Sequence, residues 1–323
     1  MTTPRRPDEA GIALVVTLLA LVLVMALVWD IFHTGTRAAQ SGAYGRDSIR
    51  AVLLAEAGVQ AAKVILREDA KNNDFDSLND IWSLPQPQYE LGGGAITLTI
   101  EDEERKININ NLIMPQGKAP NEQNVAVFRR LLEVLAIDPS VADAVLDWLD
   151  NDLSPRVGGG ESSYYLSLPY PYKSKDDLFD TIEELRLVRG MTREAFDKLR
   201  PFVTVSSSGR VNINTAPKEV LMALSAGQGE GNTGEIDEKT ADALIASRQD
   251  RPFRNSATLK SDLAAVSPVL GNIYGTIFKN LIDVRSVNFH VRAAGDVAGT
   301  VRAIDAVGAR TGNAILWRYW RLE

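Results

Sequence analysis

The chain has 323 residues, 35 basic and 42 acidic side chains, and a formal net charge of −7. An apolar share of 45% and a charged share of 24% exclude a disordered or collagen-like chain. The acidic balance argues against a general nucleic-acid binder. The absence of cysteine excludes disulfides, thiolate metal sites and thiol catalysis, and His33 and His290 are the only imidazoles.

Residues 12–29, IALVVTLLALVLVMALVW, carry no charge. As a helix they span about 27 Å, close to the ~30 Å hydrocarbon thickness of a bilayer. Arg5 and Arg6 precede the run and favour a cytoplasmic N-terminus, which sends the bulk of the chain across the membrane. A secretory signal peptide has a shorter apolar region and a small-x-small cleavage site, and no such site follows here. The helical pattern continues to about Asp69. Ile49, Val52, Leu53, Val59, Ala62 and Leu66 form a stripe suited to packing on a sheet. Gly35, Gly42, Gly45 and Gly58 weaken it, by up to ~1 kcal/mol each.

Residues 71–88 carry Asn, Asp and Pro and read as a loop. A hairpin follows around Gly92, Gly93 and Gly94, with Ile96, Leu98 and Ile100 on its buried face. The run Glu101, Asp102, Glu103, Glu104 reads as a solvated strand end. From 112 to about 283 the period is mostly helical. Helices are expected around 127–135, from Asp138-Pro139-Ser140 to Asp150, and at 182–188, 192–199, 216–223 and 238–248, with a Gly-rich loop at 227–234. From Val287 the period returns to two, and three short antiparallel strands follow, with turns at Gly295, Gly299, Gly308 and Gly312. Strands on both sides of a helical middle give an α+β chain with a helical domain inserted into a helix-and-sheet domain.

The middle contains a weak repeat. Arg105-Lys106-Ile107-Asn108-Ile109-Asn110 is similar to Arg210-Val211-Asn212-Ile213-Asn214, and each is followed by Ala-Asp-Ala, from Ala142 and from Ala241. Asn at these junctions can bond the backbone and fix the turn into a helix, which by itself makes two similar strand-to-helix junctions unsurprising.

Two stretches invite chemistry. The second repeat resembles a helix-hairpin-helix module, but Glu230, Glu235, Asp237 and Glu238 around its turn would repel phosphate; residues 185–192, with Arg186 and Arg189, suit phosphate better. The other stretch is acidic. Asp147, Asp150 and Asp152, followed by Gly158-Gly159-Gly160-Glu161, give closely spaced oxygen donors for a hard cation such as calcium. The spacing is not that of an EF-hand; the competing reading is a solvated acidic helix end. No nucleophile elbow or phosphate loop supports an enzyme.

Gly11 directly before the apolar run resembles the class III leader of type IV pilins and pseudopilins, in which prepilin peptidase cuts after the Gly. That resemblance makes Ile12 the mature, N-methylated first residue. The fifth residue from there is Val16, where most members have Glu. Together with EDEERKININNL from Glu101, VLDWLDNDLSPR from Val145, GGGESSYY from Gly158, DTIEELRLVRGMT from Asp180 and VNINTAPKEVL from Val211, the chain resembles the general secretion pathway protein K family of minor pseudopilins. The resemblance implies a pilin-like long N-terminal helix on an antiparallel sheet with a large inserted all-α domain. Its expected parts are a leader at 1–11, the helix and first strands at 12–110, the insertion at 111–284 and the last strands at 285–323. It implies a non-catalytic subunit at the tip of the periplasmic pseudopilus. Expected partners are minor pseudopilins I and J, the major pseudopilin, prepilin peptidase, the inner membrane, and a secretin or secreted substrate, with no nucleic acid. Calcium is carried over to Asp147, Asp150, Asp152 and Glu161. A minor pilin of a type IV pilus is the near alternative, and a membrane-anchored helix-hairpin-helix protein the distant one.

Overall fold

The computed structural model describes residues 7–115, 119–224, 236–275, 279–312 and 314–323, so Arg5, Arg6 and the expected loop at 227–234 lie outside the described residues. Helix α1, Pro7–Asn72, is unbroken over 66 residues, about 100 Å. Its first half stands free, and Ala51 is the first buried residue among those whose burial is described. Beyond it the buried seam is Ala51, Leu54, Ala55, Val59, Ala62 and Leu66. Ile49 and Leu53, expected on that stripe, are exposed and Val52 is half-buried. The seam is narrower than expected because small residues let the helix sink onto the sheet. A Cβ on Gly58 would lie 2.8 Å from the Ala293 Cβ, and one on Gly295 would lie 2.1 Å from the Ala51 carbonyl oxygen. Gly58 costs helix propensity but secures the close approach.

The sheet beneath α1 has five antiparallel strands in the order β1-β2-β7-β8-β9. β1 is Tyr89–Leu91 and β2 is Gly94–Asp102, joined by Gly92 and Gly93, both at positive φ. β7 is Asn288–Val297, β8 is Thr300–Thr311 and β9 is Ala314–Leu322. They are longer than expected, at 10, 12 and 9 residues. β2 pairs with β7 from Ala95↔Asp296 to Asp102↔Phe289. The chain therefore leaves the sheet after Asp102 and re-enters it at its own neighbour, which is the signature of an insertion. Trp82, Leu98, Phe289, Val291 and Ile304 fill the space between α1 and the sheet.

The insertion is two copies of one module. In the first, β3 (Ile107–Asn108) leads through helices α2 (Glu122–Val134), α3 (Val141–Leu149), α4 (Ser162–Leu166) and α5 (Arg193–Leu199) to β4, Val203–Thr204. In the second, β5 (Val211–Asn212) leads through α6 (Lys218–Ala223), α7 (Glu238–Asp250), α8 (Leu259–Val266) and α9 (Pro268–Ile273) to β6, Ile282–Asp283. Each module closes by parallel pairing of its first and last strands, Ile107↔Val203 and Val211↔Ile282. The Asn side chains do equivalent work. Asn108 Oδ1 accepts from Asn110 N at 2.9 Å, and Asn212 Oδ1 from Asn214 N at 2.9 Å. Asn110 exchanges two hydrogen bonds with the Phe179 backbone, at 3.0 and 2.8 Å. Asn214 does the same with Phe253, at 2.8 and 2.9 Å. Helices α2 and α6, the first of each module, pack on each other. The segment expected as a helix at 182–188 is a 3-10 turn, Ile182–Leu187, and α8 and α9 were not expected.

The root of the insertion corrects the sequence reading. Asp102, Glu103 and Glu104 are buried, not a solvated strand end. Asp102 Oδ2 accepts from Ser286 Oγ at 2.6 Å and Thr215 Oγ1 at 2.5 Å. Glu104 accepts from the backbone N–H groups of Ser208 at 3.0 Å and Asn288 at 2.9 Å, and from Asn288 Nδ2 at 2.8 Å. These bonds tie the end of β2 to both modules and to the start of β7. The segment 73–88 is also no free loop. Its Asp76, Asp80 and Trp82 are buried, and Asp76 binds Arg310 of β8 at 2.5 Å and Ser286 N at 2.7 Å.

Candidate functional site

Asp147 and Asp150 sit one turn apart at the C-terminal end of α3, where carbonyl groups already concentrate negative charge. Both are fully buried, and Glu161, at the start of α4, is 3% exposed. The chain between them folds back on α3. A Cβ on Gly159 would lie 1.9 Å from Asp147 Oδ2, so the Gly run is what lets the loop press on the helix end. Arg189 donates to the Gly159 carbonyl and lies over the Tyr164 ring at 4.6 Å. Trp148, packed among Tyr165, Tyr172 and Phe179, holds the far side of the helix.

The four expected donors divide. Asp150, Asp152 and Glu161 each bring a carboxylate oxygen within 4.8 Å of the other two. Asp147 is engaged instead by Arg156, whose Nη1 donates to Asp147 Oδ1 at 2.5 Å and whose backbone N donates to Oδ2 at 3.0 Å. The same Nη1 donates to Asp150 Oδ2 at 2.7 Å. Asp150 Oδ1 and both oxygens of Glu161 are buried with no hydrogen-bond partner among the described residues. Burial, then the charges of Asp147 and Asp150, push the Glu161 carboxyl up to about 7. Burial also raises Asp150, partly offset by Arg156. Burial opposes the Arg156 charge, but its two carboxylate partners hold it above the ordinary guanidinium value. Buried oxygens without partners are costly, and an oxygen-seeking divalent ion would satisfy them. The donor set of Asp150, Asp152 and Glu161 is one that would fit calcium. Arg156 was missed in the sequence; its signal was the single basic residue in the acidic loop after α3.

At the other end of the molecule, Gly11, Ile12 and Val16 lie on the free part of α1. Ile12 and Val16 are 65% and 59% exposed. Gly11 to Asn72 is long and apolar enough at its start to cross a membrane, with a best 18-residue mean hydropathy of 3.0 and none of that window buried.

The phosphate-binding reading loses its arginines. Arg186 lies over the Phe196 ring at 4.4 Å, and Arg189 is committed to Tyr164 and Gly159. In the second module Glu238 and Asp242 pair with Lys218. His290 is half-buried and contacts Asp305 at 3.1 Å.

Comparison with known proteins agrees with this layout. Two family models described as type II secretion system protein K match, a first-domain model over 105–208 and a second over 211–276, which are the two modules. Type II secretion system protein K of Pectobacterium carotovorum subsp. carotovorum is 30% identical over 271 residues, covering 79% of each chain. The chain belongs to the type II secretion system protein K family. Protein K of Pseudomonas aeruginosa is 27% identical over 281 residues, 83% of this chain and 81% of that one. Among solved structures, a chain of the GspK-GspI-GspJ complex from the enterotoxigenic Escherichia coli type 2 secretion system has the same fold. It matches with a TM-score of 0.71 and 21% identity, over 89% of this chain and 99% of that one. The pilin-like helix and sheet with a helical insertion are thus the architecture of protein K. The family is a structural component of a secretion system and not a known enzyme family.

Proposed function

We propose that the chain is a minor pseudopilin that caps the tip of the periplasmic pseudopilus in complex with minor pseudopilins I and J and supports export of folded proteins across the outer membrane. Prepilin peptidase removes the leader after Gly11, Ile12 becomes the methylated N-terminus, and α1 anchors the chain in the inner membrane with the rest in the periplasm. The observation that carries this reading is the free half of α1. It offers an uncharged apolar surface from Ile12 to Trp29 with none of the described residues packed on it. Such a surface fits a bilayer before assembly and neighbouring helices after it. Val16 fits the tip position. A carboxylate there, with no subunit ahead to pair with it, would leave an uncompensated charge in apolar surroundings. The bulk of the two-module insertion suits a subunit that no further subunit has to stack upon.

The acidic pocket acts in this reading as a calcium clip between α3 and α4. Asp150, Asp152 and Glu161 hold the ion, and the ion fixes residues 151–160 against the helix end. Co-expression with minor pseudopilins I and J, followed by affinity purification, tests the assembly. A stable ternary complex is expected, and its absence when all three are processed would refute it. Mass spectrometry of the membrane-inserted chain should find methylated Ile12 at the N-terminus. An N-terminus retaining Arg5 and Arg6, or one produced by cleavage near Ala26, would refute the processing. Calcium should raise the melting temperature relative to EGTA; equal melting in both would remove the clip.

A further inference from the structure

The acidic pocket contains its own cation. Asp147, Asp150 and Glu161 are three buried carboxylates, and Arg156 is the basic side chain bonded to the first two among the described residues. Its guanidinium bridges Asp147 Oδ1 and Asp150 Oδ2. The unpartnered oxygens are others, Asp150 Oδ1 and both of Glu161. A tethered monovalent cation thus holds one set of oxygens, and Asp150, Asp152 and Glu161 have the donors of a metal site.

We propose that Arg156 is a built-in counter-cation that sets the affinity and charge preference of the calcium pocket. It organises Asp147 and Asp150 in the metal-free chain and opposes the incoming ion by repulsion. The inference rests on the reading of this pocket as a calcium site and goes beyond it in assigning the strength of binding to a residue that is not a ligand. The ligands Asp150, Asp152 and Glu161 together with Asp147, against one guanidinium, leave three uncompensated negative charges, which a divalent ion reduces to one. Removing the guanidinium leaves four, which raises the attraction for any cation, most for a trivalent one. It also leaves Asp147 and Asp150 facing each other unpaired, so the metal-free chain is destabilised. The same arginine therefore trades metal affinity for stability without metal.

The test is isothermal titration of the full chain in detergent with Ca²⁺, and titration with Tb³⁺ followed by luminescence. Trp148, which lies between Asp147 and Asp150 in the sequence, is the sensitiser. Arg156→Gln is expected to bind calcium at least about tenfold more tightly, the lower bound set by the bulk-water dielectric when a unit charge is withdrawn from a divalent ion a few ångströms away. Its terbium affinity should rise by a larger factor, and its melting temperature in EGTA should fall. Arg156→Lys keeps the charge and should stay within about twofold of the wild type. Calcium binding that is unchanged or weaker in Arg156→Gln overturns the inference. So does an equal tightening in Arg156→Lys, which would make the effect one of shape and not of charge. If Arg156→Gln folds only with calcium present, the Arg156→Lys affinity and terbium-to-calcium ratio decide the matter. Failure of the wild type to bind either ion overturns the calcium reading itself, and this inference with it.

Discussion

Replacing Arg310 with Met tests the hypothesis that charge, and not packing alone, locks α1 to the sheet and the insertion. Arg310 is on β8 with its side chain 7% exposed. Its Nη1 donates to Asp69 Oδ2 at 3.3 Å, at the end of α1, and its Nη2 to Asp76 Oδ2 at 2.5 Å and to the Ser286 carbonyl at 2.7 Å. It also lies over the Phe289 ring at 4.9 Å. Met fills a similar volume but leaves two buried carboxylates without their cation. Breaking a buried pair from one side costs about 3–5 kcal/mol. For a chain of this size that lowers the melting temperature by ~6–20 °C. The pH dependence separates charge from packing. Burial, then the charges of Asp76 and Asp80, already push Asp69 up to about 6. Between about 4 and 6 the folded chain therefore binds more protons than the unfolded one, and stability from this group falls as pH rises through that window. Without Arg310, which lowers the Asp69 value, the window extends upward. The penalty should be largest near pH 8 and smaller near pH 5. The assay is thermal unfolding by circular dichroism of the full chain in detergent at both pH values. Arg310→Lys, which keeps the charge but not the forked geometry, should recover part of the loss. An equal penalty at pH 5 and pH 8 would refute the reasoning and assign the loss to the contact with Phe289.

Other substitutions probe the duplicated modules, the seam and the pocket. Asn214→Ala removes both bonds to the Phe253 backbone in a site 2% exposed. It should cost roughly 2–4 kcal/mol in urea unfolding, from the two backbone groups left unpaired. Asn110→Ala, in the half-buried equivalent position, should cost less, and equal costs would contradict the difference in burial. Gly295→Val drives side-chain atoms into the Ala51 carbonyl and should speed proteolysis of the chain by lifting α1 from the sheet. A protease resistance equal to wild type would show that the seam can open without cost. Gly159→Ala places a methyl against Asp147 and should reduce the melting shift between calcium and EGTA, while the same substitution at Gly93, in open space, leaves that shift unchanged.

What was legible in the sequence was whatever repeats locally. The apolar run gave α1, and strict alternation at Ile96, Leu98 and Ile100 gave β2. The acidic spacing pointed to Asp150 and Asp152, whose carboxylates the structure brings near that of Glu161. What was not legible depended on contacts distant in sequence. The run at 101–104 reads as solvated because four acids in a row resemble a surface. Asp102 is paid for by Ser286 and Thr215, more than a hundred residues away, and no local pattern records that. Asp147 looks equivalent to Asp150, because spacing cannot show that Arg156 binds it through both its side chain and its backbone N. Leu53 looks like core because it is apolar, although the seam selected alanine and glycine for closeness.

The duplication explains why the acidic pocket has no counterpart among the described residues of the second module. Each module must fix the helix that carries its Ala-Asp-Ala sequence against the start of the module. In the second module Arg248, on α7, reaches back and donates to the carbonyls of Ile213 at 2.6 Å and Ala216 at 2.7 Å. A buried arginine belonging to the helix itself joins α7 to the start of its module, and burial lowers its pKa to about 10. In the first module the aligned end of α3 carries Asp147 and Asp150, so the helix offers oxygens in place of a guanidinium. Oxygens need a cation from elsewhere, and the loop supplies Arg156 while leaving Glu161 unpaired. One module thus carries its cation in the helix, whereas the other draws on a loop arginine and, on the proposed calcium reading, on an ion from solution. On that reading only the latter arrangement makes part of the fold responsive to calcium. Unfolding followed by hydrogen exchange should therefore show calcium protecting amides of 145–165 and leaving those of 238–250 unchanged; equal protection in both would break the argument.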